Sequence, residues 1–307
     1  MYIILRNKIS FLIIYMNENI EEFVPQEFDF KELPEFFSAC IFGKRRSGKG
    51  ILTNWMVPYL MSRHKWTEAH IFSPTCLMPS QKKDDWQFIP TENKHEVFDE
   101  EKLQSIIDKQ TAKAVGWGER KAKHGKNYKE EQPRLLIILD DLLAPRGKSK
   151  IGSDGIFSSR AVSDLYVSGR HKYITVITLL QSISSSVPPI CRKNCDMIGY
   201  FRSPNKSDQE ILAYDYLSLY GLPLKEMKNM IYKITTEKHS CIIINVTALQ
   251  WSETYNDFLF KSTQHRPIKY KGPKIGKDIS RREIPELNPM VRGGVPKGKK
   301  REKCKIY

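Results

Sequence analysis

The run I-F-G-K-R-R-S-G-K-G-I-L at residues 41–52 restricts the fold of this chain more than any other stretch. Residues 37–42 are apolar and read as a short buried strand, and residues 50–63 read as the amphipathic helix that follows it. Between them lies a glycine-bounded loop of the form G-x-x-x-x-G-K, from Gly43 to Lys49. A loop slung between a strand and a helix turns its backbone amides inward around a phosphate, and the free N–H groups at the helix start add a positive dipole end. Gly43 and Gly48 allow the close backbone approach, and Lys49 supplies a flexible point charge. Lys44, Arg45, Arg46 and Ser47 form the rest of the loop, and Gly50 and Ile51 open the helix. Residues 43–51 are therefore the candidate phosphate contacts. Position 50 departs from the common pattern, in which a Ser or Thr hydroxyl ligates Mg²⁺. Glycine there weakens the expected metal shell more than the nucleotide site, and Thr53 is the alternative hydroxyl one turn on.

A phosphate loop needs a partner, and Leu135-Leu136-Ile137-Ile138-Leu139-Asp140-Asp141 supplies one. Five aliphatic residues ending in two acids fit a parallel strand buried on both faces, with its carboxylates at the C-terminal edge where open α/β sheets bind ligands. In that setting Asp140 is the candidate Mg²⁺ ligand. Asp141 is the candidate that polarises an attacking water. Taken alone, the segment also fits a core strand with an Asp-rich turn; its place after a phosphate loop favours the first reading.

Further strands are expected at 69–73, 173–179, 197–201 and 240–246. Helices are expected at 50–63, about 100–110, 156–167 and within 207–231. Strands alternating with helices imply βαβ units, and so an α/β fold with a mainly parallel sheet flanked by helices. Residues 111–133 are polar and lysine-rich and read as a mobile surface loop, and a second loop is expected at 145–155. The organisation expected is an N-terminal extension (1–34), one nucleotide-binding domain (35–250) and a basic tail (251–307).

The charge is uneven. Of a net +15, residues 261–307 hold fifteen Lys or Arg against four Asp or Glu, a net +11, with five prolines and no sustained apolar period. That stretch reads as a disordered basic arm suited to polyanions, with a solubilising extension or an import signal at 297–305 as the plainer alternatives. The six cysteines form no C-x-x-C pair, so free thiols are expected. The apolar start at 2–15 is broken by Arg6, Asn7 and Lys8 and is too short to span a membrane. It has no convincing signal-cleavage site, and Met16 is a candidate initiator.

Gln181 follows the strand at 173–179, placed where an amide can touch a γ-phosphate or its attacking water. Four blocks now stand in order: G-K-R-R-S-G-K, L-L-I-I-L-D-D, S-G-R-H-K-Y-I-T-V-I-T-L-L-Q and V-P-P-I-C-R-K-N-C-D. Together they resemble the FtsK–HerA superfamily of P-loop NTPases, and within it the poxvirus-type genome-packaging ATPases of large DNA viruses, virophages and related elements. The likeness covers about residues 35–205 and leaves the N-terminus and basic tail outside it.

The resemblance implies a RecA/ASCE-like domain binding ATP and Mg²⁺. It implies a homo-oligomeric ring that hydrolyses ATP between subunits and threads double-stranded DNA into a capsid or portal vertex. The setting would be a host nucleus or a cytoplasmic virus factory, or the virion itself. Carried over by position, Lys49 serves phosphate, Asp140 Mg²⁺, Asp141 water activation and Gln181 sensing. Charge building on the γ-phosphate also calls for a cation. Arg170 is the first candidate, from a neighbouring subunit or in cis, then Arg192 and then Arg160. Two other classes share parts of the pattern: a non-enzymatic DNA-associated scaffold that holds nucleotide, and a nucleotide or small-molecule kinase.

Overall fold

The structure is a computed structural model that describes residues 24–78, 85–142, 159–183, 189–218 and 221–276, except for 250, 253, 264, 266, 268 and 269. The expected loop at 145–155, the apolar start at 2–15 and the tail beyond 276 lie outside those residues.

In chain order the main elements are β1 (Ser38–Phe42), α1 (Lys49–His64), β2 (Glu68–Phe72), β3 (Lys94–His95), α2 (Glu100–His124), β4 (Leu135–Asp140), α3 (Arg160–Ser168) and β5 (Ile174–Leu180). These are followed by α4 (Pro189–Lys193), β6 (Met197–Phe201), α5 (Lys206–Leu212), α6 (Leu224–Ile234), β7 (Cys241–Asn245), α7 (Val246–Leu249) and β8 (Leu259–Ser262). A π-helical segment, Ala213–Leu217, continues α5. The strands form one eight-stranded sheet in the order β3-β2-β4-β5-β1-β6-β7-β8. Strands β1 to β6 run parallel, as the alternating pattern requires, while β7 and β8 add antiparallel to the β6 edge. Each face of the sheet carries its own buried cluster. One packs α1 through Leu52, Met56 and Leu60, and the other packs α2, α3 and α6 through residues such as Ile106, Val162 and Ile231. Strands covered on both sides must be apolar throughout, which is why β1, β5 and β7 are buried at every position.

Two expectations give way here. The lysine-rich stretch read as a mobile loop from 111 is helical to His124, within a single helix of 25 residues. Its start is capped by Asp99, whose carboxylate accepts from the Lys102 amide, and its buried stripe of Leu103, Ile106, Ile107, Gln110, Ala114 and Trp117 keeps helical spacing beyond residue 111. Lys121, Lys123 and His124 then suit the negative helix end, and Gly125 follows at φ 57°. The lysines are thus the solvent face of a helix. The sheet also reaches past residue 250: β8 pairs with β7, and Tyr270 and Ile275 are buried against α1 and its neighbours. At the other end Phe28, Phe30 and Leu33 enter the same cluster, and the Phe28 amide donates to the Lys261 carbonyl, so stretches read as extension and tail meet on the domain.

Candidate nucleotide-binding and hydrolysis site

Register brings the strand ends level. Phe42 pairs with Leu180 on one side and Tyr200 on the other, and Asp140 pairs with Leu179. Strands lie ~4.8 Å apart, so β4 is ~10 Å from β1 with β5 interposed. The loop after β1 and the acids after β4 therefore face the same cleft.

The loop closes tightly over its own backbone. A Cβ on Gly43 would come within 2.5 Å of Ser47 Oγ and 2.7 Å of Phe201 Cβ, and Gly48 sits at φ 120°, which side chains avoid. Lys44, Arg45 and Arg46 are exposed on the crown, while Lys49 is buried beneath it. The Lys49 ammonium donates to the carbonyls of Gly43 and Lys44, the latter at 3.2 Å. Burial lowers its pKa, and the charges of Asp141 and Asp140 work against that fall. The amine thus shares an electrostatic environment with both acids. The start of α1 has no side-chain cap and no acid in its first turn, so its free amides are open to an anion. The Ser47 hydroxyl is buried with no hydrogen-bond partner among the described residues, an orphan that a phosphate oxygen would satisfy.

Burial raises Asp140 to about 6. The Ser73 hydroxyl, donating to Asp140 at 2.9 Å, pulls the other way, Asp141 pushes up and Lys49 pulls down. Asp141 takes the left-handed conformation at φ 49°, which Asp tolerates, and its amide donates to the Leu179 carbonyl at 3.1 Å. Gln181 donates through Nε2 to Asp141 Oδ1 at 2.5 Å. The residues marked for water activation and for sensing are in direct contact.

The donors near Asp140 are oxygens, the set a hard Mg²⁺ ion takes beside nucleotide phosphates, and a buried carboxyl held above its usual value is one that a cation would re-ionise. The residues fit the ion without a hydroxyl at position 50. Thr53, the alternative hydroxyl, is fully buried and its Oγ1 donates to the Lys49 carbonyl at 3.1 Å within the helix. Ser73, at the end of β2, escaped sequence reasoning; like Gln181 it is a polar residue just past an apolar strand, and that signal was present.

Two of the three candidate arginines are elsewhere. Arg170 precedes β5 while Gln181 follows it, so seven extended residues, ~20 Å, separate them. Arg170 lines a small hollow with Ser38 and Asp196 at the opposite edge of the sheet. The in-cis option for Arg170 is therefore removed. Arg192, in α4 ahead of β6, donates through Nε to Asp215 at 3.0 Å and is not brought to the loop. Arg160 opens α3 and is exposed. A residue sequence gave no reason to single out does reach the loop: His239 donates from Nδ1 to the Ser47 carbonyl at 2.9 Å across 192 positions.

A loop and helix that cup an anion, faced across one intervening strand by a pair of acids, is the architecture of a P-loop NTPase. Comparison with known proteins narrows this. The sequence profile of the family described as Poxvirus A32 protein matches residues 25–260, and the chain belongs to that family. Protein 075L of Invertebrate iridescent virus 6 is 24% identical over 161 residues, spanning 52% of this chain and 54% of that protein, so the chain matches about half the length of this relative. Among solved structures, the genome packaging NTPase B204 of Sulfolobus turreted icosahedral virus 2 in complex with AMP is 15% identical with a TM-score of 0.45, covering 77% of this chain and 100% of that one. The pCW3 conjugation coupling protein TcpA is 13% identical with a TM-score of 0.45, covering 74% and 64%.

Proposed function

We propose that this chain is an ATP-hydrolysing motor that moves double-stranded DNA into a viral capsid, acting as a homo-oligomeric ring in a virus factory or on the virion. The observation that carries the hydrolytic reading is the convergence of Lys49, Asp140, Asp141 and Gln181 on one cleft. Membership of the Poxvirus A32 family supports the packaging role.

On nucleotide arrival, the Lys49 ammonium exchanges the loop carbonyls for phosphate oxygens, while the loop amides and the start of α1 hold the remaining negative charge. Asp140, backed by Ser73, would hold Mg²⁺, which supplies charge neutralisation to the phosphates when bound. Asp141 accepts a hydrogen bond from the attacking water, and the Gln181 amide fixes the carboxylate that does so. Loss of the γ-phosphate changes what Asp141 contacts, and Gln181 passes that change to β5. Arg170 lies on the far edge of its own subunit, so in this reading it completes a neighbour's site.

Hydrolysis measured with and without long duplex DNA tests the proposal. DNA-stimulated turnover that disappears in Lys49→Ala and Asp141→Asn supports a motor. DNA binding without turnover would favour the scaffold, which the absent hydroxyl at Gly50 keeps in view, and phosphoryl transfer to a small acceptor would favour a kinase.

A further inference from the structure

The phosphate loop has two flanks, and the hydrolytic groups occupy one. Asp140, Asp141 and Gln181 lie toward β4 and β5, so the γ-phosphate end of a nucleotide belongs there. A triphosphate is a linear chain. Its α-phosphate and nucleoside must lead the other way, toward β6, the second neighbour of β1.

On that side the loop touches two segments. Phe201, the last residue of β6, packs against it, its Cε1 3.1 Å from where a Cβ on Gly48 would lie. His239 holds the Ser47 carbonyl. Arg202 follows Phe201 directly, with Cα atoms ~3.8 Å apart, and Thr235 lies four residues before His239. Arg202 and Thr235 both line a cavity of about 220 Å³ between the end of β6, α5 and α6, together with Tyr200, Ser203, Asn229 and Tyr232.

The chemistry of this corner suits a nucleoside. The Arg202 guanidinium lies over the Tyr232 ring, 4.3 Å from its centroid, and Tyr232 is 54% exposed. A planar cation stacked on a phenol ring is a flat platform that takes an aromatic base without regard to hydration of a point charge. Lys228 on the same wall is neutralised by Glu210 at 2.9 Å, so it adds no bare cation for phosphate. Asn229 is exposed beside the platform, and its amide carries a donor and an acceptor together, the pairing that adenine presents along its N6/N7 edge.

We propose that this cavity is the adenosine site: the base stacks on the Arg202–Tyr232 pair and Asn229 reads its edge. The inference rests on the reading above that the loop binds ATP.

Equilibrium binding of AMP-PNP, GMP-PNP and inorganic tripolyphosphate to the full chain tests it. Expected in the unsubstituted protein is tighter binding of AMP-PNP than of either other probe. Tyr232→Ala and Arg202→Lys should each weaken AMP-PNP roughly tenfold and leave tripolyphosphate unchanged, because base stacking is lost while the loop is intact. Tyr232→Phe, which keeps the ring, should bind as the unsubstituted protein does, and Asn229→Asp should erode the preference for AMP-PNP over GMP-PNP. Unchanged AMP-PNP affinity in Tyr232→Ala and Arg202→Lys, with binding abolished by Lys49→Ala, would overturn the adenosine site and leave the ATP reading standing. Equal weakening of AMP-PNP and tripolyphosphate, or loss of duplex DNA affinity alone, would overturn it too, assigning the pair to phosphates or to DNA. Failure of the unsubstituted protein to bind either adenine nucleotide or tripolyphosphate would instead remove the ATP reading itself.

Discussion

The two flanks of β1 are built differently. Toward β5 and β4 every strand is parallel, and each ends in a residue with chemistry: Asp140 and Asp141 after β4, Gln181 after β5. Toward β6 the sheet turns antiparallel at β7 and β8, and the loop is braced by Phe201 and His239, which belong to no motif. In the proposed function the first flank carries out the reaction. The second mounts the loop and, by the inference above, the nucleoside. Substitutions on the first should act on kcat, and those on the second on affinity or stability.

The largest effect tests the chemical flank. Asp141→Asn should lower hydrolysis by roughly a hundredfold to ten-thousandfold while retaining ATP binding, the range over which a positioned base contributes. Lys49→Ala should lose both. A raised KM with normal kcat in Asp141→Asn would erase the division between flanks. Arg170 belongs to neither flank, since it stands at the far end of β5. If it serves a neighbour, Arg170→Ala and Lys49→Ala should each be inactive, yet an equal mixture should recover roughly a quarter of the sites, each pairing an intact loop with an intact arginine across a head-to-tail contact. No recovery on mixing would place the missing cation elsewhere.

Asp140 offers a stability test on the same flank. Its folded value of about 6 stands above the ordinary value of an aspartate carboxyl, 3.8, so the folded state holds a proton that the unfolded state releases. Stability of the nucleotide-free protein should therefore fall as pH rises from about 4 to about 6. Asp140→Asn should remove that loss and stabilise the metal-free protein above pH 6 by roughly 2–3 kcal/mol, while abolishing Mg²⁺-dependent hydrolysis. A lower thermal midpoint in Asp140→Asn at pH 7.5 would contradict it.

The loop itself sharpens the contrast at two glycines. Gly43→Ala drives a methyl into Ser47 and Phe201 and should cost about 1–3 kcal/mol as well as nucleotide affinity. Gly50→Ser meets open space, with nothing within 4 Å of its Cβ, and should preserve or raise Mg²⁺-dependent turnover. The smallest effect lies on the mounting flank. The His265 ring packs edge-on against Phe201, centroids 5.8 Å apart, and burial lowers it to about 4, so the neutral ring contributes stability that is full above about 6.5 and is lost as pH falls toward 4. His265→Gln should flatten the acid limb of a stability-against-pH curve without altering kcat at neutral pH.

Much of this is legible in the amino-acid sequence. The strands announce themselves because a sheet covered on both faces needs unbroken aliphatic runs, and the loop does because its glycines and lysine are sequence neighbours. Asp140, Asp141 and Gln181 are legible as polar residues ending such runs, and Ser73 obeys the same rule. The far half of α2 is hidden in the sequence, although Ala114 and Trp117 continue its buried stripe, because Gly116 and Gly118 interrupt the period and every residue from Glu119 to His124 is exposed. The stretch beyond 250 looked like tail for a related reason: β8 is only four residues long and half-buried, and Tyr270 and Ile275 are isolated apolar residues in a basic stretch.

The amino-acid order by itself determined the α/β class, the phosphate loop and the identity of the paired acids, because each depends on residues adjacent along the chain. Only the folded sheet decided that Gln181 touches Asp141, that Arg170 stands ~20 Å away at the opposite edge, and that Phe201 and His239 flank the loop. Those relations follow from strand direction, order and register, which long-range packing selects and no local pattern encodes.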